Sequence, residues 1–233
     1  MNKFEKVKVE WIMLEDYINK LRPEVLKLFK NDSSGHDITH LERTMNIALL
    51  LQKYEGGDEI VVGISAFLHD VHRIMQNETG KFVSPKDSLD KVKEILSVLD
   101  LNESRLQKIL HAIEYHEIYN WNNLQNKEND INTLILQDAD NLDAIGAISI
   151  GRTFSYGGAH NVPMYDNTVS LEMKSDYAEE NGDDASTIHH FYHKLFRLSD
   201  NMNTQKAKEL ANSRTEFMKR FVDEFLKEWN GEK

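Results

Sequence analysis

Apolar residues recur along this chain at intervals of three and four, the spacing of one helix face. Trp11, Leu14, Ile18 and Leu21 form the first such stripe. Pro23 is expected to end or kink that helix, with Val25 and Leu28 continuing beyond it. The NDSSG stretch from Asn31 to Gly35 reads as a turn. Leu41, Met45, Ala48 and Leu49 predict the next helix, capped by Asp37 and ended by Gly56-Gly57. Ile60, Ile64, Phe67 and Leu68 make an apolar run that stops at His69-Asp70. Ser84-Pro85-Lys86-Asp87 reads as a helix start, followed on one face by Leu89, Val92, Ile95 and Leu99. Asp100 and Glu103 are read as a capping-box-like start for Leu106, Ile109, Leu110 and Ile113. Leu134 to Ile150 predicts one buried helix carrying Asp138, Asp140 and Asp143. Phe191, Leu195 and Leu198, then Leu210, Phe217, Phe221 and Phe225, predict two closing helices.

Two stretches break the periodicity. Residues 119–130 are rich in Asn and read as a loop, and residues 155–184 hold much Gly, Pro, Asn and Asp. A structureless stretch as long as the second is uncommon unless it is functional, so it is a candidate lid. Strand-like alternation of useful length and internal repeats are both lacking. The expected fold is therefore an all-α helical bundle in one domain over residues 1–233. Its N-terminal helices would cover 1–30, its core 31–150, its lid 155–184 and its closing helices 185–230.

A chain of 233 residues can bury one sizeable core. Its formal net charge is −11, with no basic stripe, which excludes extended binding to a nucleic-acid backbone. An acidic protein that takes a phosphorylated small molecule needs a metal and a few local cations to offset its own field. The absence of Cys removes disulfides, thiolate metal sites and a cysteine nucleophile. The opening MNKFEKVKVEW lacks the apolar core of a signal peptide, and no run approaches the ~18 apolar residues of a membrane span. The cytoplasm is the expected location, no membrane partner is expected, and a homodimer stays open.

The chemistry centres on His69-Asp70, which presents a nitrogen and an oxygen ligand from one helix end. His40 in HDITHLERT and Asp140 in LQDADNLDAIGAI can complete a four-ligand site from three helices. Such a set without sulfur suits Mn²⁺ first, with Mg²⁺, Fe²⁺, Co²⁺ or Ni²⁺ as alternatives. An ion of this kind can bind a phosphate and activate a water. His72 follows His69 by one helical turn and is a candidate general acid or base, an ordinary hydrogen-bonded His being the alternative. Arg43, one turn after His40, is the best side chain for orienting phosphate. Arg73, His116 and Lys194 are further substrate-binding candidates, with Lys81, Lys86 and Arg152 behind them. His36 precedes His40 by one turn, but the adjoining turn weakens it as a ligand. Asp138 competes with Asp140, and Asp143 is a candidate for orienting a ligand. His111 and His116 cannot both point into one site from a regular helix. His189 and His193 have a zinc-like spacing without the Glu of a zinc-protease helix and read as structural or substrate-proximal.

The ordered set His40…His69-Asp70…Asp140 resembles the HD-domain superfamily of metal-dependent phosphohydrolases. The segments GHDITHLERT, DADNLDAIGAISIGRTF and TIHHFYHKLFRLSDNMNT are similar to one bacterial subgroup, the small single-domain members, over roughly residues 30 to 230. The resemblance implies an all-α fold, one or sometimes two metals, and hydrolysis of a phosphate ester or anhydride. It also favours Asp140 over Asp138 as the last ligand. For this subgroup it suggests nucleoside triphosphate pyrophosphohydrolysis. The alternatives are a 5′-nucleotidase-like phosphomonoesterase and a non-catalytic nucleotide-binding regulatory module. One departure matters: many such hydrolases place an acid three residues after the aspartate of the His-Asp pair, and here that position is Arg73. The attacking water must then be oriented from elsewhere, or by Asp70 itself.

Overall fold

A computed structural model describes residues 3–30, 37–118, 128–171 and 184–232. Among these the fold is all helical, without a strand. The α-helices are α1 (Lys3–Leu28), α2 (Ile38–Glu55), α3 (Glu59–Leu68), α4 (Val71–Thr79), α5 (Leu89–Leu96), α6 (Glu103–Tyr115), α7 (Ile131–Asp143), α8 (Ala147–Ala159), α9 (Thr187–His193) and α10 (Gln205–Trp229). Short 3₁₀ turns at Pro85–Ser88 and Leu195–Asn201 precede α5 and follow α9. None of the described helices is long and apolar enough to cross a membrane. The chain clusters into two compact units, Met1–Asp140 and Asn141–Lys233.

In the first unit, α3 is the central element. Every residue from Ile60 to Leu68 is buried, and α3 packs against α1, α2 and α6. Each large apolar side chain buried this way contributes about 1.5–3 kcal/mol. Gly63 lets α1 approach closely, since a Cβ there would lie 2.7 Å from Leu14 Cδ2. Of the two expectations for Pro23, an end is not what occurs: α1 runs through it to Leu28. A helix-interior proline costs about 3 kcal/mol, but Leu21, Val25 and Phe29 are buried on either side of it, and that burial outweighs the lost hydrogen bond.

Asp58 ties three helices together at their starts. Its side chain caps α3 by accepting from Ile60 N (3.0 Å) and Val61 N (3.3 Å), and it accepts from Arg105 Nε of α6 at 2.9 Å. Its own N–H donates to Asn132 Oδ1 of α7 at 2.8 Å. The N-cap of α6 is Asn102, which accepts from Arg105 N, rather than Asp100. Asn102 is the last extended residue before the helix, so its side chain can reach back to the first turn.

The helix expected over Leu134–Ile150 is in fact α7 and α8, broken at Gly146, whose φ of 98° is open to glycine and strained for other residues. The irregular stretch expected from residue 155 begins later, because α8 continues to Ala159. Residues 172–183 of the candidate lid and 119–127 of the Asn-rich loop lie outside the described residues. Phe154, Phe191, Phe221 and Phe225 form an aromatic cluster, with Phe154 5.8 Å from Phe225 between ring centroids. The buried face of α10 is Ala207, Ala211, Thr215, Met218 and Val222, and Phe217 is exposed. Small side chains define that face, so a stripe read from the large apolar residues falls partly on the wrong side.

Candidate metal centre

The site grows from helix ends. His69 closes α3, and its Nδ1 lies 2.9 Å from the Ala66 carbonyl oxygen. A carbonyl can only accept, so Nδ1 carries the proton and Nε2 of the neutral ring keeps its lone pair. His40 sits in the first turn of α2, its N–H donating to Asp37 Oδ1 of the cap at 2.9 Å. The Nε2 atoms of His40 and His69 face each other at 3.3 Å.

Two carboxylates converge on that pair. Asp70 Oδ2 lies 3.3 Å from His40 Nε2, and Asp70 Oδ1 lies 3.6 Å from His69 Nε2. Asp140 Oδ1 is 3.5 Å from His40 Nε2 and 3.6 Å from His69 Nε2. His40, His69 and Asp70 are buried, and Asp140 is partly exposed. Burial pushes Asp140 up, but the hydrogen bond and charge of His69 outweigh it and hold the carboxyl well below its usual range. Burial likewise pushes His69 down, and Asp70 and Asp140 reverse the sign, leaving it raised. Packing two carboxylates and two imidazoles in so small a buried volume is costly without a cation between them. The set is all nitrogen and oxygen, every donor atom brings a lone pair, and it fits a divalent ion.

His72 and His116 repeat the wiring of His69. His72 Nδ1 donates to the His69 carbonyl at 3.1 Å, and His116, which closes α6, donates from Nδ1 to the Ile113 carbonyl at 2.7 Å. Both rings are buried, and neither Nε2 has a hydrogen-bond partner. The His116 ring lies 5.2 Å from His69 and 5.5 Å from His72 between centroids. Burial, with His69 adding to it, pushes His116 down to about 4. Beside them stands Glu117, a residue the sequence reasoning missed. Its Oε1 accepts from Arg73 Nη2 and lies 3.5 Å from His72 Nε2. Burial would raise Glu117, but His72, His116 and Arg73 together hold it down to about 2. The signal in the sequence was the His116-Glu117 dipeptide at the end of an amphipathic helix, a His-acid pair like His69-Asp70.

The remaining candidates have partners or surroundings of their own. Arg43 Nη1 donates to Thr39 Oγ1 at 3.0 Å on its own helix. Lys194 caps the end of α9 in the second unit. Lys86 pairs with Glu114 at 3.3 Å, Arg152 with Asp143 at 2.7 Å, and His111 with Glu128 at 3.0 Å. Lys81 is exposed, and Asp138 is fully buried. His189 Nδ1 lies 2.7 Å from Ser186 Oγ, and His193 Nδ1 lies 2.6 Å from Asp184 Oδ1, so each has its own partner in the second unit. His36 lies outside the described residues.

Residues 37–145, which contain His40, His69, Asp70 and Asp140, match the HD domain family model. YpgQ of Bacillus subtilis is 31% identical over 212 residues, covering 91% of this chain and 93% of YpgQ. The chain belongs to the HD-domain family. Solved structures agree with the membership of this HD-domain hydrolase. An HD-superfamily hydrolase from Bacillus thuringiensis superposes with a TM-score of 0.71 and 33% identity, covering 93% of this chain and 98% of its own. The structure of B. subtilis YpgQ in complex with ADP superposes with a TM-score of 0.69 and 27% identity, covering 93% of this chain and 96% of its own.

Proposed function

We propose that this HD-domain hydrolase is a divalent-metal-dependent nucleotide phosphohydrolase that releases pyrophosphate from nucleoside triphosphates, with Mn²⁺ the first candidate ion. The observation that carries the reading is the convergence of His40 Nε2 and His69 Nε2, 3.3 Å apart, with the carboxylates of Asp70 and Asp140. These four side chains would hold the ion, which supplies Lewis acidity to a phosphoryl oxygen and to a water. The ADP complex of YpgQ supports a nucleotide as the ligand class.

The chain's own groups then divide the remaining work. Asp70 keeps a carboxylate oxygen available to take a proton from the attacking water. His72, with its proton fixed on Nδ1, presents Nε2 as a second acceptor for that proton. Arg43 and Arg73 provide cationic charge for phosphate oxygens on a chain that is otherwise acidic. Arg73 reaches a phosphate only when its ion pair with Glu117 opens, so substrate and Glu117 compete for the same guanidinium.

The test is a panel of metal-stripped protein, re-supplied with Mn²⁺, Mg²⁺, Co²⁺ or Ni²⁺, against nucleoside mono- and triphosphates, with phosphate and pyrophosphate assayed separately. Metal-dependent pyrophosphate release is the expected result. Phosphate from monophosphates alone would replace this reading with a phosphomonoesterase. Tight nucleotide binding without either product would replace it with a binding module.

A further inference from the structure

Helix α1 carries apolar side chains on two sides. Leu14, Ile18, Leu21 and Val25 are buried in the core of the first unit, where α1 packs against α3. On its outer side Ile12 and Leu26 are 52% and 45% exposed, with Trp11 beside them at 52%. Asn19, also exposed, stands midway, so Ile12, Asn19 and Leu26 are seven residues apart. At that spacing a helix drifts only about 20° per step, and the three share one line along the outer face. Glu15 and Arg22 flank that line on one side, Asp16 and Pro23 on the other. The Glu15–Arg22 flank borders a groove of about 230 Å³ between α1 and α2, walled also by Trp11, Met45 and Leu49. An exposed seam repeating every seven residues is the pattern that packs against another helix.

We infer that α1 is the interface between two copies of this chain, paired antiparallel about a two-fold axis at Asn19. Ile12 and Leu26 lie equally far from Asn19 along the chain, so the axis puts Ile12 of each copy opposite Leu26 of the other. The same operation brings Glu15 of one copy beside Arg22 of the other, on one flank and within about 1.5 Å of the same level. A two-fold contact must be self-complementary in this way. The apolar pair and the ion pair each occur twice, and Asn19 meets itself once. A polar Asn in an apolar seam fixes register and orientation. A parallel pairing would instead set Glu15 beside Asp16 of the other copy, two like charges, and this decides the direction.

Charge singles out the same face. The chain carries a net −11, so two copies repel at long range. Between residues 10 and 28 the charges nearly cancel, with Glu10, Glu15, Asp16 and Glu24 against Lys20, Arg22 and Lys27. A second copy can approach α1 with little repulsion from the helix itself. A lipid surface fits less well, because helices that lie in a bilayer face carry Lys and Arg around a continuous apolar strip. Here Glu15, Asp16 and Asn19 interrupt the strip.

The experiment measures the mass of the full chain by light scattering, and its dimer Kd by analytical ultracentrifugation. The expected mass is twice 27.1 kDa. Ile12→Glu and Leu26→Glu should each weaken the dimer by at least about 10-fold. Glu15→Arg should weaken it more than Asp16→Arg does. The chain has no cysteine, so Asn19→Cys places a single thiol on the axis, and mild oxidation should join two chains. Lys27→Cys, about 24 Å from its counterpart along the helices, should not join them. All these positions are exposed, and helicity measured on each variant keeps unfolding apart from dissociation. A 27.1 kDa particle at every concentration would overturn the proposal. A dimer whose Kd is unchanged in Ile12→Glu and Leu26→Glu would overturn this face as the interface. Equal losses in Glu15→Arg and Asp16→Arg, or cross-linking through Lys27→Cys alone, would overturn the antiparallel register. A monomer that binds phosphatidylglycerol vesicles, and no longer does so in Ile12→Glu, would give the face to a lipid surface instead. The readouts need no turnover, so their failure leaves the proposed activity standing.

Discussion

The ends of α3 and α6 are built to one plan. Each helix starts from a capping side chain, Asp58 or Asn102, and ends in a histidine that donates from Nδ1 to the carbonyl three residues back. Each histidine is followed by an acid, Asp70 or Glu117. The helices differ in length, 10 residues against 13, yet one separation matches. His69 follows Asp58 and His116 follows Arg105 by the same number of residues, and Asp58 and Arg105 are bonded to each other. Equal helical rises of about 16 Å carry both rings to one level.

What differs is the surroundings. All of α3 from Ile60 onward is buried, whereas α6 buries Ile109, Leu110, Ala112 and Ile113 on one side. Burial pushes both rings down; Asp70 and Asp140 reverse this at His69, which is raised, whereas His69 adds to it at His116, which is lowered. One geometric device thus gives two rings opposite proton preferences, and charge rather than backbone sets which is which.

The comparison breaks most sharply under His69→Ala. Loss of the ion should cost on the order of 1,000-fold or more in kcat/KM, with bound metal falling in parallel. His116→Ala should cost clearly less. Equal losses, measured as kcat/KM beside metal content, would make the two ends equivalent in function. A smaller effect sharpens the proton contrast in metal-free protein. Between pH 6.5 and about 4 the unfolded chain holds more protons at His116 than the folded chain does. Stability therefore falls as the pH falls through that window, by about 3 kcal/mol in all. His69, raised in the fold, contributes in the opposite sense: its share is present below pH 6.5 and lost as the pH rises through its raised value. Denaturant melts from pH 7.5 to 4.5 should show a shallower loss in His116→Asn than in the wild type. The smallest effect is at the caps. Asp58→Ala should cost about 1–2 kcal/mol and Asn102→Ala about 0.5–1 kcal/mol, because Asp58 also holds Arg105. Urea midpoints of the two variants check that order.

The α3 end was legible in the sequence and the α6 end was not. A wholly apolar run ending in His-Asp stands out, and His40 and Asp140 lie at the spacing that completes it. His116 was visible as a histidine, but its helix is amphipathic and an Asn-rich stretch follows, so Glu117 blended with surface acid. Glu117 reaches Arg73 from beyond the end of α6, a pairing that no local pattern announces. The same limit explains the cap at Asn102, where the turn of the backbone decides, and the break at Gly146, where a single positive φ divides one apolar stripe into two helices. The helix class and the core of the first unit were readable because burial there follows large apolar residues. The buried face of α10 was not, because Ala207 and Ala211 carry it.

The backbone-anchored histidines have a consequence for how such a site can change. The acceptors for His69, His72 and His116 are main-chain carbonyls of Ala66, His69 and Ile113, which every amino acid possesses. The side chains of Ala66 and Ile113 take no part in the bonds that orient His69 and His116. A new ligand can be gained by a single substitution at a helix end, arriving already oriented. The pocket's inventory of ligands is therefore open to revision one residue at a time, while the scaffold that aims them stays the same.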